Sequence, residues 1–268
     1  MPTPIGNLDD ITLRAEKILK SVDTVFCEDT RHSAKLLSHI GSTARREALH
    51  EHNENEKSAV VIKVLQSGKN VALISDAGTP TISDPGFVLV RECRKAGIDV
   101  VPLPGACAAI CALSASGLAT DQFVFYGFPP EAKGRREKFF EKCAGHSATG
   151  IFYLSPHKAG KQMSDMLQYF SGREAVLGRE ITKVFEEFIS DKIENIAAKL
   201  KAEKPKGELV LVVAGKKEEQ LSDDDIRQMA LNLKKQGLSG RSLAEAIKDA
   251  TGVSKRQAYQ ISLEISDK

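Results

Sequence analysis

The sequence predicts an α/β fold made of two domains, followed by a small C-terminal helical module. Three observations lead to this prediction. Through residues 1–215, short apolar runs alternate with amphipathic stretches, a pattern typical of strands and helices that build a mostly parallel sheet. Turn-forming residues interrupt the alternation at Gly117–Gln122. Beyond Gly215 no strand-like run occurs, and apolar residues recur only at helical spacing.

The strand predictions rest on eight short runs rich in β-branched and aromatic residues. They are Thr24–Cys27, Val71–Ser75, Ile98–Pro102, Phe123–Tyr126, Ile151–Leu154, Ala175–Leu177, Lys183–Ile189 and Leu209–Val213. Helices are predicted between them because apolar residues recur three or four positions apart, as at Ile11, Ala15 and Ile18. Pro2–Leu8 has the composition of a loop that follows a strand, yet no strand precedes it. We therefore expect either a truncated chain or a sheet that lacks one edge strand.

Two changes in composition divide the chain. The first is Gly117–Gln122, which is followed by a new strand and then by a proline-rich loop at Phe128–Arg136. The second comes after Ala214 and Gly215, where three amphipathic helices replace the strand–helix alternation. We predict domains at residues 1–117 and 118–215, with a helical module at 216–268.

Composition favours a globular enzyme. Of 268 residues, 41% are hydrophobic and 28% are charged, which is ordinary for such a protein. No apolar run approaches the roughly 18 residues that span a bilayer, and the start of the chain lacks a secretory signal, so we expect a cytoplasmic protein. Five cysteines without a CxxC pair predict free thiols in a reducing compartment. A net charge of +2 permits a nucleic-acid partner but does not require one.

The loop Ser75–Gly86 is the most informative segment. It follows an apolar strand and precedes a helix, and ligands in open α/β sheets bind at the carboxyl ends of strands. Its glycines allow close approach to a ligand, its prolines stiffen it, and Asp76 and Asp84 can accept hydrogen bonds. The alternative is an ordinary connection capped by Asp84. Such connections usually have about two to six residues, and the length of this one favours a ligand loop.

A second segment, Val101–Ala109, also leads from a predicted strand into a helix. Small residues at the helix start leave room for a ligand against the backbone N–H groups. Tight helix–sheet packing explains the same residues equally well. The sequence has no G-x-G, no Walker spacing and no G-x-S-x-G, which disfavours NAD-dependent, P-loop and nucleophile-elbow chemistry.

Three polar clusters lie near predicted strands, at Cys27–His32, His50–Glu54 and Arg179–Lys183. The spacing of His50 and His52 suits a pair of metal ligands, but no further cluster completes a coordination sphere, so we expect no metal. Substrate binding or acid–base work is the favoured interpretation.

Two basic stretches have competing interpretations. Lys133–Lys138 is more typical of a solvated helix start than of a binding surface. Lys255 and Arg256 lie in a stretch that resembles a helix-turn-helix, and a stabilising helical cap is equally compatible with it.

Six blocks in order resemble the tetrapyrrole methylase superfamily, and within it the branch that methylates ribosomal RNA. The blocks are Pro2–Leu8, Glu28–His32, His50–Glu54, Ser75–Gly86, Leu103–Ala109 and Phe152–His157. The resemblance implies two α/β domains with a cleft between them. It also implies a homodimer that uses S-adenosylmethionine to methylate the ribose 2′-hydroxyl of a cytidine in the decoding region of 16S ribosomal RNA, alone or in the small ribosomal subunit. The alternative is a sister enzyme that acts on a porphyrinoid or a protein side chain.

The resemblance assigns cofactor binding to individual positions, and the chemistry of the residues adds candidates for a base and for RNA contacts. The cofactor-binding positions are Pro4, Ser75, Asp76, Thr79, Cys107, Ala108, Leu154 and Thr182. A ribose hydroxyl is a weak nucleophile, so a base should remove its proton. The unranked candidates are Glu28, Asp29, His52, Glu180 and Lys183. The candidate contacts to RNA are Arg31, His32, Arg135, Arg136, Lys255 and Arg256. Lys158 stands where the family pattern has arginine, which retains the charge but not the bidentate geometry.

Overall fold

A computed structural model of the protein describes residues 1–203, 205–217 and 222–266. The chain divides into two compact units, Met1–Lys216 and Lys217–Lys268. The first unit contains two β-sheets and the second contains helices. An α/β fold with a helical C-terminal module is thereby confirmed. No helix of the described residues is long and apolar enough to cross a membrane.

The first sheet has three parallel strands in the order β2-β1-β3. Its strands are β1 (Thr24–Cys27), β2 (Arg45–Ala48) and β3 (Val71–Leu73). The helices of this half are α1 (Leu13–Leu19), α2 (Thr30–His39), α3 (Glu54–Gln66), α4 (Phe87–Lys95) and α5 (Ala108–Ala115). A short 3-10 helix, Leu8–Asp10, precedes them. The sequence predicted β1 and β3, and the structure confirms both.

Two expectations for this sheet were wrong. Strand β2 escaped detection because its residues are charged or small and lie on an edge, where neither face is fully buried. The predicted strand Ile98–Pro102 forms no ladder and is irregular. Pro102 and Pro104 have no N–H group to donate to a neighbouring strand.

The second sheet has five strands in the order β4-β5-β8-β6-β7. They are β4 (Phe123–Gly127), β5 (Thr149–Leu154), β6 (Glu174–Arg179), β7 (Glu187–Lys192) and β8 (Leu209–Val213). Helices α6 (Lys133–Ala144), α7 (Ala159–Phe170) and α8 (Ile193–Ala202) accompany them. Only β4 and β5 are parallel, and the remaining pairs are antiparallel. The expectation of mostly parallel strands therefore holds for the first sheet and is wrong for the second.

A buried apolar cluster packs the start of the chain and helix α5 against the second sheet. Ile5 from the loop Pro2–Leu8 (the first loop) and Leu113 from α5 pack with Ile151, Ile181 and Val210, which lie in or next to the second sheet. Burying a side chain of this kind stabilises the fold by about 1.5–3 kcal/mol. This cluster therefore connects residues of both halves of the first unit, while each sheet keeps a core of its own.

The second unit is a three-helix module of α9 (Asp223–Lys235), α10 (Gly240–Thr251) and α11 (Lys255–Ser266). Ser222 and Asp225 form a capping box at the start of α9. Helix α10 ends at Gly252, whose φ of 70° lies in the left-handed region that glycine tolerates. Ile226, Leu243 and Ile247 lie in the small core of the module.

Candidate functional site

The two loops at the start of the site are bonded to each other. Thr3 N donates to Gly78 O at 2.9 Å, and Gly78 N donates to Thr3 O at 3.0 Å. The Thr3 hydroxyl donates to Ser75 O at 3.1 Å, and the Ser75 hydroxyl donates to Gly78 O at 2.9 Å. Pro2–Leu8 and Ser75–Gly86 therefore hold each other at the carboxyl end of β3.

Backbone strain is concentrated in two segments of the site. Among the described residues, the non-glycine residues with positive φ are Thr81 (72°), Ser83 (64°), Glu180 (51°) and Thr182 (68°). The first two belong to the loop Ser75–Gly86, and the other two lie just after β6. Such conformations cost about 1–3 kcal/mol each and concentrate at functional sites. The surrounding contacts therefore force both segments into fixed shapes.

Glu54 fixes the far end of the loop. Its buried Oε1 accepts hydrogen bonds from the backbone N–H groups of Gly86 at 2.9 Å, Val88 at 2.7 Å and Leu89 at 3.3 Å. A carboxylate at this position satisfies the free donors of helix α4 and complements its dipole. The polar cluster His50–Glu54, which the sequence suggested for substrate binding or acid–base work, thus contains a residue with a structural role. The exposed His52 lines neither of the two cavities described next, as far as the described chain shows.

The first cavity has a volume of about 420 Å³ and lies between the loop Ser75–Gly86 and the second sheet. Its walls include Thr79, Asp84, Cys107, Ala108, Tyr153 and Leu154. Its charged side chains are those of Asp76, Asp84 and Glu208, and none of its described lining residues is basic. An apolar cavity with three carboxylates suits a ligand that has an apolar body and a positive charge.

The second cavity has a volume of about 310 Å³ and lies between the first loop and α2. Three basic side chains line it, those of His32, Lys35 and Lys183. The two cavities share a wall made of Ile5, Asp76, Ala77 and Glu208. Two ligands can therefore meet at this wall, with the positively charged one on the first side and an anionic one on the second.

The structure gathers most of the predicted cofactor positions. Asp76, Thr79, Cys107, Ala108 and Leu154 line the first cavity. Pro4 and Ser75 line the second cavity. Thr182 lines neither cavity, but its hydroxyl accepts a hydrogen bond from Asn7 N at 3.1 Å, which ties the first loop to the second half of the unit.

Carboxylates crowd one side of the first cavity. Burial raises the pKa of Asp84 to about 6, and the negative charges of Glu28 and Asp76 contribute, against a hydrogen bond from Ser75. Burial and the charge of Asp76 also raise the pKa of Glu28. Negative charge close by disfavours the ionised forms of Glu28 and Asp84. A cationic ligand would relieve this repulsion.

Asp29 has a structural role. Its Oδ1 accepts from Arg31 N at 2.8 Å and thereby caps α2, and its Oδ2 pairs with the Arg31 guanidinium at 2.8 Å. Hydrogen bonds from Arg31 hold the pKa of Asp29 well below its usual range. Arg31 remains exposed, but its positive charge is paired.

A network of three charged residues lies at the shared wall. Glu180 Oε1 accepts from Lys183 Nζ at 2.9 Å and from Glu208 N at 2.9 Å, and Lys183 Nζ donates to Glu208 Oε2 at 3.2 Å. Partial burial disfavours the ammonium form of Lys183, but its bonds to the two carboxylates outweigh this effect and its pKa is raised. The hydrogen bonds from Lys183 and Glu208 N lower the pKa of Glu180.

Sequence reasoning missed Glu208. It stands just before β8, and a parallel strand would have placed it at the opposite edge of the sheet from the site. Because β8 runs antiparallel to β5, with Leu209 opposite Leu154, its amino end lies at the carboxyl end of β5. Gly207, with a φ of 83°, is a signal that a tight turn precedes this strand.

The predicted RNA contacts differ in how accessible their side chains are. Arg136 is only 3% exposed, pairs with Asp165, and donates to the carbonyl groups of Pro130 and Glu131. Its prediction as an RNA contact is therefore wrong, because the guanidinium is fully used inside the protein. Arg135 is exposed, and His32 lines the second cavity.

The helical module has a cavity of its own. Lys255 and Arg256 are exposed at the start of α11 and line a cavity of about 700 Å³ together with Arg241 and Lys248. The same cavity contains Glu245 and Asp249, so its cationic character is partly offset. No described group of histidine, cysteine and acidic side chains is arranged to hold a metal ion.

Comparison with known proteins identifies the family. Residues 2–197 match the profile of tetrapyrrole (corrin/porphyrin) methylases. The chain belongs to this family. That result confirms the resemblance seen in the six sequence blocks, and it accounts for two α/β halves with cavities between the ligand loops.

The relatives of this tetrapyrrole methylase include proteins named as ribosomal RNA methyltransferases. It is 45% identical to a ribosomal RNA small subunit methyltransferase I from Vibrio cholerae over 98% of this chain and 93% of that protein. It is 47% identical to the protein of the same name from Haemophilus influenzae, over 97% and 94%. The fold resembles that of uroporphyrin-III C-methyl transferase from Thermus thermophilus, solved with S-adenosylhomocysteine, with a TM-score of 0.55, 15% identity and coverage of 79% and 94%.

Proposed function

We propose that this protein uses S-adenosylmethionine to methylate the ribose 2′-hydroxyl of a cytidine in the decoding region of 16S ribosomal RNA. The observation that carries the proposal is a pair of adjoining cavities with a common wall, of which the first has only acidic charged residues among those described and the second adds three basic ones. The name of the similar proteins supports ribosomal RNA as the substrate. A cytoplasmic location accords with that substrate.

The first cavity fits the proposed cofactor. S-adenosylmethionine has an apolar purine and a positive sulfonium, and when bound it supplies an electrophilic methyl group. Leu154 and Tyr153 offer apolar contact, while Asp76 and Asp84 favour the positive charge. The volume of about 420 Å³ lies within the usual range of about 300–1,000 Å³ for small-molecule sites.

The second cavity fits one nucleotide of an RNA chain. His32 and Lys35 can contact the phosphate groups, since such contacts position a nucleic acid and supply much of the affinity. The target ribose and the methyl donor then meet at the shared wall beside Ala77. Transfer requires the two to meet at near-attack distance, and the rigid loops of this protein fix that geometry.

Three parts of the proposal go beyond the cavities. Arg135, Lys255 and Arg256 are exposed cations that can contact RNA outside the site. The homodimer is part of the proposal, and Val184 and Phe185 are side chains that such a contact would cover, since they are 93% and 74% exposed. A metal is not part of the proposed chemistry.

The direct experiment compares small-subunit ribosomal RNA from cells with and without this protein by mass mapping. We expect one cytidine in the decoding region to lose a ribose methyl group when the protein is absent. If every ribose methyl group remains, the proposed substrate is wrong. A porphyrinoid or protein substrate would then be tested by transfer of labelled methyl groups to those molecules.

A further inference from the structure

The base that accepts the hydroxyl proton must lie where the two cavities meet, and most sequence candidates do not meet this requirement. Glu28, Asp29 and His52 line neither cavity in the described part of the chain. Lys183 has a raised pKa and therefore stays an ammonium group, which cannot accept a proton. Glu180 lies outside both cavities, and its Oε1 already accepts two hydrogen bonds.

Two carboxylates line both cavities, those of Asp76 and Glu208. Asp76 Oδ1 accepts a hydrogen bond from Asp29 N at 3.1 Å, and its charge interacts with the neighbouring carboxylates Glu28 and Asp84. We therefore assign Asp76 to the group of carboxylates that favours a positively charged ligand in the first cavity. Glu208 lies at the same wall, but it comes from the turn before β8 and contacts Lys183.

Glu208 has three features of a proton acceptor. Lys183 Nζ donates to its Oε2 at 3.2 Å, so an ammonium group holds the carboxylate in place. No described group donates a hydrogen bond to its Oε1. Its side chain is 66% exposed, which lets a captured proton pass on to water.

Glu180 holds both Lys183 and the backbone of Glu208 in place. Its carboxylate binds both Lys183 Nζ and Glu208 N, and its own backbone N–H donates to Glu208 O at 3.0 Å. A Cβ atom at Gly207 would overlap the Glu180 carboxylate, so the turn before β8 requires glycine there. The strained φ of 51° at Glu180 is consistent with a position fixed for function.

We infer that Glu208 is the general base of the methyl transfer, and that Lys183 and Glu180 are positioning residues that hold it. The inference rests on the proposed function. As the oxygen–methyl bond forms, the methyl–sulfur bond breaks and sulfur keeps its electron pair. The hydroxyl proton passes to Glu208 Oε1 and then to water. The products are the methylated ribose, a neutral thioether and a released proton.

The test uses the full chain with Glu208→Gln, which keeps the shape of the side chain and removes its basicity. We expect kcat on small subunits to fall by about 10²–10⁴-fold, the usual contribution of a general base. The dissociation constants for S-adenosylhomocysteine and for the RNA should change by less than about twofold, because Gln retains the contacts. Glu203→Gln is the matched control, since Glu203 is exposed and lines neither described cavity.

A pH profile separates chemistry from structure. The wild-type kcat should fall in acid as the base is protonated, and Glu208→Asp should keep this dependence with a partial rate. The profile of Glu208→Gln should be flat over the same range. A wild-type rate with Glu208→Gln, or loss of S-adenosylhomocysteine binding in that variant, would overturn the inference. Absence of methyl transfer by the wild-type protein would instead refute the proposed function.

Discussion

The first and second cavities differ most in charge, although they share four wall residues. The described charged residues of the first cavity are all acidic, whereas the second has three basic side chains, His32, Lys35 and Lys183, beside the shared Asp76 and Glu208. The first is also built across both halves of the unit, and the second lies mainly against the first loop and α2. This difference teaches that a cationic methyl donor and an anionic acceptor can approach the same wall from two sides of different charge. Changes on one side should therefore leave the other side intact.

The largest effect is expected from Glu54→Ala, which removes the anchor of the loop that borders the first cavity. Three backbone N–H groups would lose their acceptor, and we expect a loss of about 2–4 kcal/mol in the free energy of unfolding. Denaturant titration measures it. The exposed Glu56→Ala on the same helix is the control, and equal stability of the two variants would show that Glu54 does not anchor the loop.

The second effect concerns charge in the first cavity. Asp84→Asn should weaken binding of S-adenosylmethionine by about tenfold, in line with the loss of one charge contact. RNA affinity should stay the same, because Asp84 does not line the second cavity in the described chain. Calorimetry of both ligands tests this. A variant that loses RNA affinity instead would break the proposed division between the cavities.

The Asp84 carboxyl group should make the stability of the protein depend on pH. The pKa of Asp84 is about 6 in the folded protein and near its ordinary value of 3.8 in the unfolded chain. Its contribution to stability is therefore fully present below about pH 3.8 and is lost as pH rises through 6. Above pH 6, Asp84→Asn should be more stable than the wild type by about 1 kcal/mol, after allowance for solvent screening. Thermal unfolding at pH 5 and pH 8 measures the difference, which should be smaller at pH 5.

The smallest effect is expected from Lys35→Gln in the second cavity. One lost phosphate contact should weaken RNA binding severalfold and reduce the salt slope of binding by about one unit. Affinity for S-adenosylhomocysteine should not change. Lys63→Gln, an exposed change on α3, is the control. If the two variants bind RNA equally at every salt concentration, Lys35 does not contact the phosphate groups.

The sequence predicts the first cavity better than the second. The loop Ser75–Gly86 is a continuous segment whose length and turn residues indicate a ligand site without knowledge of the fold. Strand β1 and the helices around it follow from local apolar patterns as well. These features depend on residues close together in the chain, which is where periodicity and turn chemistry carry information.

The remaining features depend on pairings between distant residues. Glu208 reaches the site only because β8 is antiparallel to β5, and nothing local in its sequence specifies that direction. The sequence around Arg136 is typical of a surface cation, because its partner Asp165 lies 29 residues away in the chain. Glu54 became an anchor through contact with Gly86, 32 residues further on. Sequence patterns indicate which residues are polar, but the fold decides which of them face a ligand.

The most direct test of two separate sites on one wall is a calorimetric titration of S-adenosylhomocysteine into the protein, with and without saturating decoding-region RNA. The account predicts that both ligands bind at once, with one equivalent of S-adenosylhomocysteine per chain in either case. Competition between them, seen as loss of S-adenosylhomocysteine binding in proportion to RNA occupancy, would contradict it. The two cavities would then belong to a single ligand, and the shared wall at Asp76 and Glu208 would not be the place where donor and acceptor meet.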